Sequence, residues 1–197
     1  METYPKIINS IIEQLKKLPG IGSKSAERIV EFFLKMDQAE LLSFAENLKN
    51  LKENVKLCKR CFSISDSDIC EVCTDPSREK KLAVVEQFKD VIALEKAGFR
   101  GKYHVLGGRI NPLEKVEPED LSIRNLLERL KNEEFSEIII ATNPTPEGES
   151  TAIYLIKILK KYNYPISRIA TGIPVGAEIE YADPETLRKS IENRIKT

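Results

Sequence analysis

Four cysteines constrain this chain more than any other feature. They stand as two Cys-x-x-Cys pairs, Cys58/Cys61 and Cys70/Cys73, with eight residues between the pairs. Two-residue spacing lets both thiolates of a pair meet one ion, and four thiolates close a tetrahedral Zn²⁺ shell that leaves no position for water. Leu57 to Pro76, the segment that carries them, has three aspartates and few large apolar residues. Burial alone cannot fold it, so it needs a staple, and zinc ligation supplies roughly 10–16 kcal/mol in small finger peptides. A thioredoxin-type redox pair is a single motif after a strand, so the tandem points to one structural Zn²⁺ on Cys58, Cys61, Cys70 and Cys73.

The flanks read differently. Before the cysteines, apolar residues recur at helical spacing from Ile7 to Leu18, where Pro19-Gly20 stops the pattern. A second helix is expected from a cap at Ser23, with Ala26, Ile29, Val30 and Phe33 inward, and a third from about Gln38 to Leu51, with Leu41, Leu42, Ala45 and Leu48 packed. From Lys81 onward, the apolar runs LAVVE (82–86), KYHVL (102–106), EIIIAT (137–142) and SRIAT (167–171) alternate with helical stretches. That order predicts an α/β fold with a mostly parallel sheet covered by helices. The expected divisions are a helical region (1–55), a four-cysteine ribbon (56–77), an α/β domain (78–165) and a C-terminal strand/helix segment (166–197).

Charge narrows the function classes. Thirty-one Lys and Arg balance thirty-one Asp and Glu, which excludes a basic or polyacidic tail and a disordered chain of high net charge. Nucleic-acid binding stays open, because it depends on where the bases sit. No apolar run nears the ~20 residues of a membrane span, and METYPKIINSIIEQLKK lacks the uninterrupted apolar core of a signal peptide. A cytoplasmic, nucleoid-associated protein without membrane contact is expected.

Leu18-Pro19-Gly20-Ile21-Gly22 joins the first two helices. Its glycines allow backbone N–H groups to converge at a helix start, where the dipole also favours an anion such as phosphate. An ordinary turn between helices is the simpler account of such glycines, but Lys24 and Arg28 follow within two turns. The pattern resembles the helix-hairpin-helix of DNA repair proteins. Gly20, Gly22, Ser23, Lys24 and Arg28 are the candidate DNA contacts, and Lys56, Lys59 and Arg60 add bases at the first knuckle.

Glu86 ends one predicted strand, and Asn143-Pro-Thr-Pro-Glu147-Gly-Glu149 follows another. Strand carboxyl ends are where parallel α/β sheets bind ligands. The arrangement resembles the Toprim fold of topoisomerases and primases, whose carboxylates hold Mg²⁺ through a glutamate and a DxDxEGE-like run. Here Asn143 and Thr145 occupy the two aspartate positions, and Mg²⁺ prefers charged oxygen ligands. A degenerate Toprim module without catalysis is expected, with its acidic rim left for a partner. A metal-dependent Toprim nuclease or topoisomerase is the alternative. The simpler reading of Glu147 and Glu149 is an acidic helix start stabilised by its dipole. His104, the single histidine, lies within a predicted strand and reads as structural.

Helix-hairpin-helix, four-cysteine ribbon and aspartate-poor Toprim module follow one another in this order in the bacterial RecR recombination-mediator family, which the chain resembles over essentially its whole length. VVEQFKDVIALEKAG (84–98), YHVLGGRINPL (103–113), ATNPTPEGESTA (141–152) and TGIPVGAEIEYADPETL (171–187) carry the resemblance further. Ser23 departs from a proline common there. The resemblance implies a ring-shaped clamp, dimer to tetramer, that binds single- and double-stranded DNA. It also implies work with RecO, and in many bacteria RecF, to load RecA onto single-stranded DNA coated by its binding protein. Carried over by position, Lys24 and Arg28 contact DNA, and Glu86, Asp90, Glu147 and Glu149 contact RecO. The tail is sometimes likened to a Walker B strand, here ending at Asp183. No GxxxxGK[ST] accompanies it, so Gly172 to Asp183 is expected to close subunit contacts.

Overall fold

Helical spacing on both sides of the Pro-Gly turn becomes two packed helices in the computed structural model, which describes residues 4–195. The chain divides into two compact units, one ending at Val55 and the other starting at Lys56. In the first, α1 (Lys6–Leu15) and α2 (Ser23–Lys35) meet through Ile12, Ala26 and Val30, with Ile8, Ile11, Leu15 and Ile21 around them. Helix α1 stops three residues short of Leu18, because the Leu18 N–H turns back to the Leu15 carbonyl, 3.0 Å away, and tightens the last turn. The expected cap moves too: Gly22 is the N-cap of α2, and Ser23 is its first helical residue. Helix α3 (Gln38–Asn54) is capped by Asp37, whose side chain accepts from the Ala39 N–H at 2.8 Å. It fully buries none of its residues, and of the stripe expected to pack inward Leu41 is half-buried while Leu42, Ala45 and Leu48 stay exposed.

The second unit starts with the cysteine segment: β1 (Lys56–Leu57) pairs antiparallel with β2 (Ile64–Ser65), and a short α4 (Glu71–Thr74) follows. Then come β3 (Lys81–Val85), α5 (Phe88–Lys96), β4 (Lys102–Val105), α6 (Ile123–Asn132), β5 (Glu137–Ala141), α7 (Pro146–Leu159), β6 (Ile166–Arg168) and α8 (Pro184–Glu192). The four strands β4-β3-β5-β6 form one parallel sheet in that order.

Strand periodicity decides its two faces. Leu82 and Val84 of β3 and Ile138 and Ile140 of β5 look toward α6 and α7, meeting Leu126, Leu130, Leu155 and Leu159. The alternate residues Ala83, Val85, Tyr103 and Val105 are covered by Val91 and Phe88 of α5 and by Phe62 and Val72 of the cysteine segment. The Val105 N–H also donates to the Cys61 carbonyl at 2.8 Å. The cysteine segment therefore borrows the sheet's apolar surface for the core its own composition cannot supply.

Candidate functional site

At the turn before α2, Gly20 adopts φ +79°, a conformation only glycine takes without strain. The Gly22 carbonyl accepts from the Ala26 N–H at 2.9 Å, while no side chain caps the helix. The N–H groups of the first helical turn thus face outward without an intrahelical acceptor. Lys24 and Arg28 are exposed beside them and enter no ion pair among the described residues. An anion arriving there meets open donors, the positive end of a thirteen-residue helix and two unpaired cations.

The four cysteines converge as their spacing requires. Their sulfurs all lie within 4.8 Å of one another, with Cys58 Sγ 4.0 Å from Cys73 Sγ and Cys61 Sγ 3.5 Å from Cys70 Sγ. A tetrahedral Zn²⁺ with sulfurs at about 2.3 Å spaces them roughly 3.8 Å apart, so the donor set fits. Cys58 Sγ accepts backbone N–H groups from Arg60 at 3.4 Å and Cys70 at 3.3 Å. Such bonds favour the thiolate. As a bare set the sulfurs compete for protons: hydrogen bonds from Cys70 and Cys73 push the Cys61 thiol up, and the bond with Cys61 holds Cys70 down to about 2. One divalent cation resolves that competition for all four, and these cysteines form a centre for one structural Zn²⁺.

The bases of the first knuckle are less free than the sequence suggests. Lys56 and Lys59 both close on Asp68 at 2.6 Å, and their ammonium groups hold its carboxyl down to about 2. Arg60 reaches the Cys73 carbonyl at 3.1 Å and Glu133 at 3.4 Å.

At the carboxyl ends of β3 and β5 the structure brings Glu86 and Asn143 together. Glu86 is 2% exposed. One of its oxygens accepts the Asn143 backbone N–H and the other accepts Asn143 Nδ2, each at 2.8 Å. Arg109 Nη1 stands 3.8 Å from the second oxygen. Gly148, in the first turn of α7, leaves room for this arrangement: a Cβ there would strike the Asn143 carbonyl and come within 2.7 Å of Glu86 Oε1. Thr145 caps α7 by accepting the Gly148 N–H at 3.1 Å. Asn143 and Thr145 are thus both engaged in hydrogen bonds within the protein.

The other acidic candidates differ from Glu86. Glu149 takes Arg168 in a bidentate pair, 2.7 Å on each arm, and that guanidinium holds its carboxyl below the ordinary range. Glu147 beside it enters no ion pair among the described residues. Asp90 accepts the Gln87 N–H at 2.8 Å and so helps start α5. Asp183, at the end of the tail segment, caps α8 by accepting from Glu185 and Thr186. Neither Arg109 nor Arg168 stands out in the sequence. A lone arginine after a glycine pair or at a strand end carries no spacing signal, and each acquires its role only from a partner distant in the chain.

Comparison with known proteins matches four family models in succession. RecR helix-hairpin-helix covers residues 8–52, the RecR four-cysteine zinc finger domain 55–75, Toprim domain 80–170 and RecR C-terminal 172–195. Recombination protein RecR of Syntrophobacter fumaroxidans is 47% identical over 193 residues, 97% of this chain and 96% of the relative. The protein of that name from Carboxydothermus hydrogenoformans is 47% identical over 193 residues, 97% of each chain. That from Lactococcus lactis subsp. cremoris is 43% identical over 195 residues, 98% of each.

Proposed function

The chain belongs to the RecR family of recombination proteins, and on that premise we propose that it is a non-catalytic, DNA-binding mediator of recombinational repair. The observation that carries this reading is the uncapped start of α2, where the N–H groups of the first turn lack intrahelical acceptors beside Lys24 and Arg28, which enter no ion pair among the described residues. Backbone donors and point charges of this kind recognise phosphate and carry no base readout, so single- and double-stranded DNA of any sequence are bound. Gly20, Gly22, Ser23, Lys24 and Arg28 form the contact.

Absence of catalysis rests on Glu86. Its two oxygens are taken by Asn143, and the aspartates that would share a Mg²⁺ with it are Asn143 and Thr145. A two-metal clamp needs carboxylates at those places. The acidic rim of Asp90, Glu147 and Glu149 serves instead as the contact for RecO, while Glu86, also expected there, is buried and held by Asn143. Glu147, with its charge unpaired, contributes most, and Glu149 presents its charge already shared with Arg168. With RecO, and RecF where present, the protein promotes RecA loading onto coated single-stranded DNA in the cytoplasm.

Self-assembly into a ring of up to four copies is supported by apolar surface left open. Leu42, Leu48 and Leu51 of α3 are each more than half exposed, as are Ile179, Tyr181 and Ile191 in the tail. Exposed apolar faces of this kind mark contact surfaces. No helix among the described residues is long and apolar enough to cross a membrane.

The test is DNA retention by the Lys24→Ala/Arg28→Ala double variant. On duplex DNA the salt slope should fall by about 0.9 for each lost phosphate contact, and affinity should drop alike for all sequences. Unchanged affinity would remove this turn from the DNA contact. Mg²⁺-dependent nicking of supercoiled plasmid, abolished by Glu86→Gln, would replace the non-catalytic reading with the nuclease one.

A further inference from the structure

Phe62 follows directly on the zinc ligand Cys61, at φ +62°. A bulky residue in the left-handed region is strained by roughly 1–2 kcal/mol, and glycine is the residue that takes this conformation freely. The strain is held by the knuckle's own turn, in which the Phe62 N–H donates to the Cys58 carbonyl at 2.9 Å and the Cys58 N–H to the Ser63 carbonyl at 2.8 Å. It places the Phe62 ring 5.5 Å from the buried His104 ring, with its other side forming part of a groove of about 580 Å³. The groove runs along the seam of the cysteine ribbon and the sheet. Leu57 and Ile64 of the ribbon line it together with Phe88 and Asn125. Leu57 is 58% exposed and Ile64 46%, although each is the apolar residue of a two-residue strand.

The charge of the groove says what fits it. Among the described residues, its only ionisable lining groups are Glu119 and Asp120. Asp120 already accepts the Glu117 N–H at 2.9 Å, which leaves Glu119, exposed at the rim, as the freer carboxylate. An apolar slot with an acidic lip complements a large apolar anchor flanked by Lys or Arg. This chain's own exposed tail does not fit: Ile179 and Tyr181 are flanked by Glu178 and Glu180, which would meet like charge.

We propose that this groove is a docking site for a short peptide segment of a partner protein, carrying an aromatic or aliphatic anchor flanked by basic residues. Phe62 forms the floor that receives the anchor, Glu119 pairs with the flanking base, and Asn125 is placed to hydrogen-bond the peptide backbone. Gln87 and Phe88 of the groove lie next to Asp90 of the acidic rim, whereas Glu147 and Glu149 do not line it.

The experiment uses the full zinc-loaded protein and fluorescent peptides of about ten residues. One bears a central Trp flanked by Lys and Arg, and its match bears Glu in their places. The basic peptide should saturate, and the acidic one should bind about tenfold more weakly. Glu119→Lys should reverse that preference, and Phe62→Gly should weaken the basic peptide about tenfold. The proposal is overturned if neither peptide saturates below millimolar concentration, or if Glu119→Lys leaves the preference as it was. It is equally overturned if Leu57→Asp lowers the mass of the assembled protein in solution, which would assign the groove to a second copy of this chain.

Discussion

Asn143 grips Glu86 with two donors: its backbone N–H meets one carboxylate oxygen and its side-chain amide the other, both at 2.8 Å. The pair joins residues fifty-seven positions apart at the ends of adjacent strands β3 and β5. A buried carboxylate needs donors or cations around it. Here an amide and, at 3.8 Å, the Arg109 guanidinium provide them, where an aspartate would have added a second negative charge.

Asn143→Asp should therefore destabilise the protein by about 2–3 kcal/mol, by removing a hydrogen bond to a buried charge and adding repulsion. Millimolar Mg²⁺ or Mn²⁺ should recover part of that loss in the variant and leave the parent protein's unfolding midpoint unmoved. Chemical denaturation with and without the cation measures both. A variant as stable as the parent would show that the amide does not hold Glu86.

Cys73→Ser removes one sulfur of a set whose members lie within 4.8 Å of one another. Bound zinc should fall well below one equivalent by metal analysis. Because Phe62 and Val72 cover the sheet face made by Val85, Tyr103 and Val105, the loss should reach beyond the ribbon. Several kcal/mol of stability should go with it, part of the roughly 10–16 kcal/mol that zinc contributes to small fingers. Retention of full zinc and of the parent's stability would contradict this.

Asp68 neutralises two lysines at once. It is exposed, so Asp68→Asn should leave the unfolding midpoint nearly where it is. Its effect belongs in DNA binding: freeing Lys56 and Lys59 should raise affinity severalfold at low salt and lose that gain at high salt. Filter retention across a salt series reads this. An unchanged affinity would confine DNA contact to the turn before α2.

Burial pushes His104 down from 6.5 to about 4, against the Ser122 carbonyl bonded to its Nε2, and Arg129 adds repulsion toward a protonated ring. The folded pKa lies below the unfolded one, so the unfolded chain takes up the proton first as pH falls. Stability should decline between about pH 6.5 and pH 4 by a total of about 3 kcal/mol, and His104 should be silent above that window. His104→Gln should flatten this slope in denaturation curves at matched zinc content, which separates it from protonation of the cysteines. A variant with the parent's slope would place the acid sensitivity elsewhere.

Where chemistry is set by spacing, the amino-acid sequence already shows it. Two Cys-x-x-Cys pairs converge on one ion because two intervening residues let both thiolates reach it. Alternating apolar strands and helices lead to a parallel sheet because both of its faces must be covered. Boundaries were less legible: α1 ends at Leu15 and Gly22 caps α2 because local hydrogen bonding, which apolar periodicity does not report, closes those turns.

The zinc centre, the glycine turn with its two bases and the glutamates at strand ends are local patterns, and residue order is enough to specify them. What those glutamates can do is set by packing. Asn143 and Arg109 surround Glu86, Arg168 clasps Glu149, and Glu147 is left unpaired among the described residues. A charge's function depends on what lies within a few ångströms of it, and in a parallel sheet those neighbours come from strands and loops far apart in the chain.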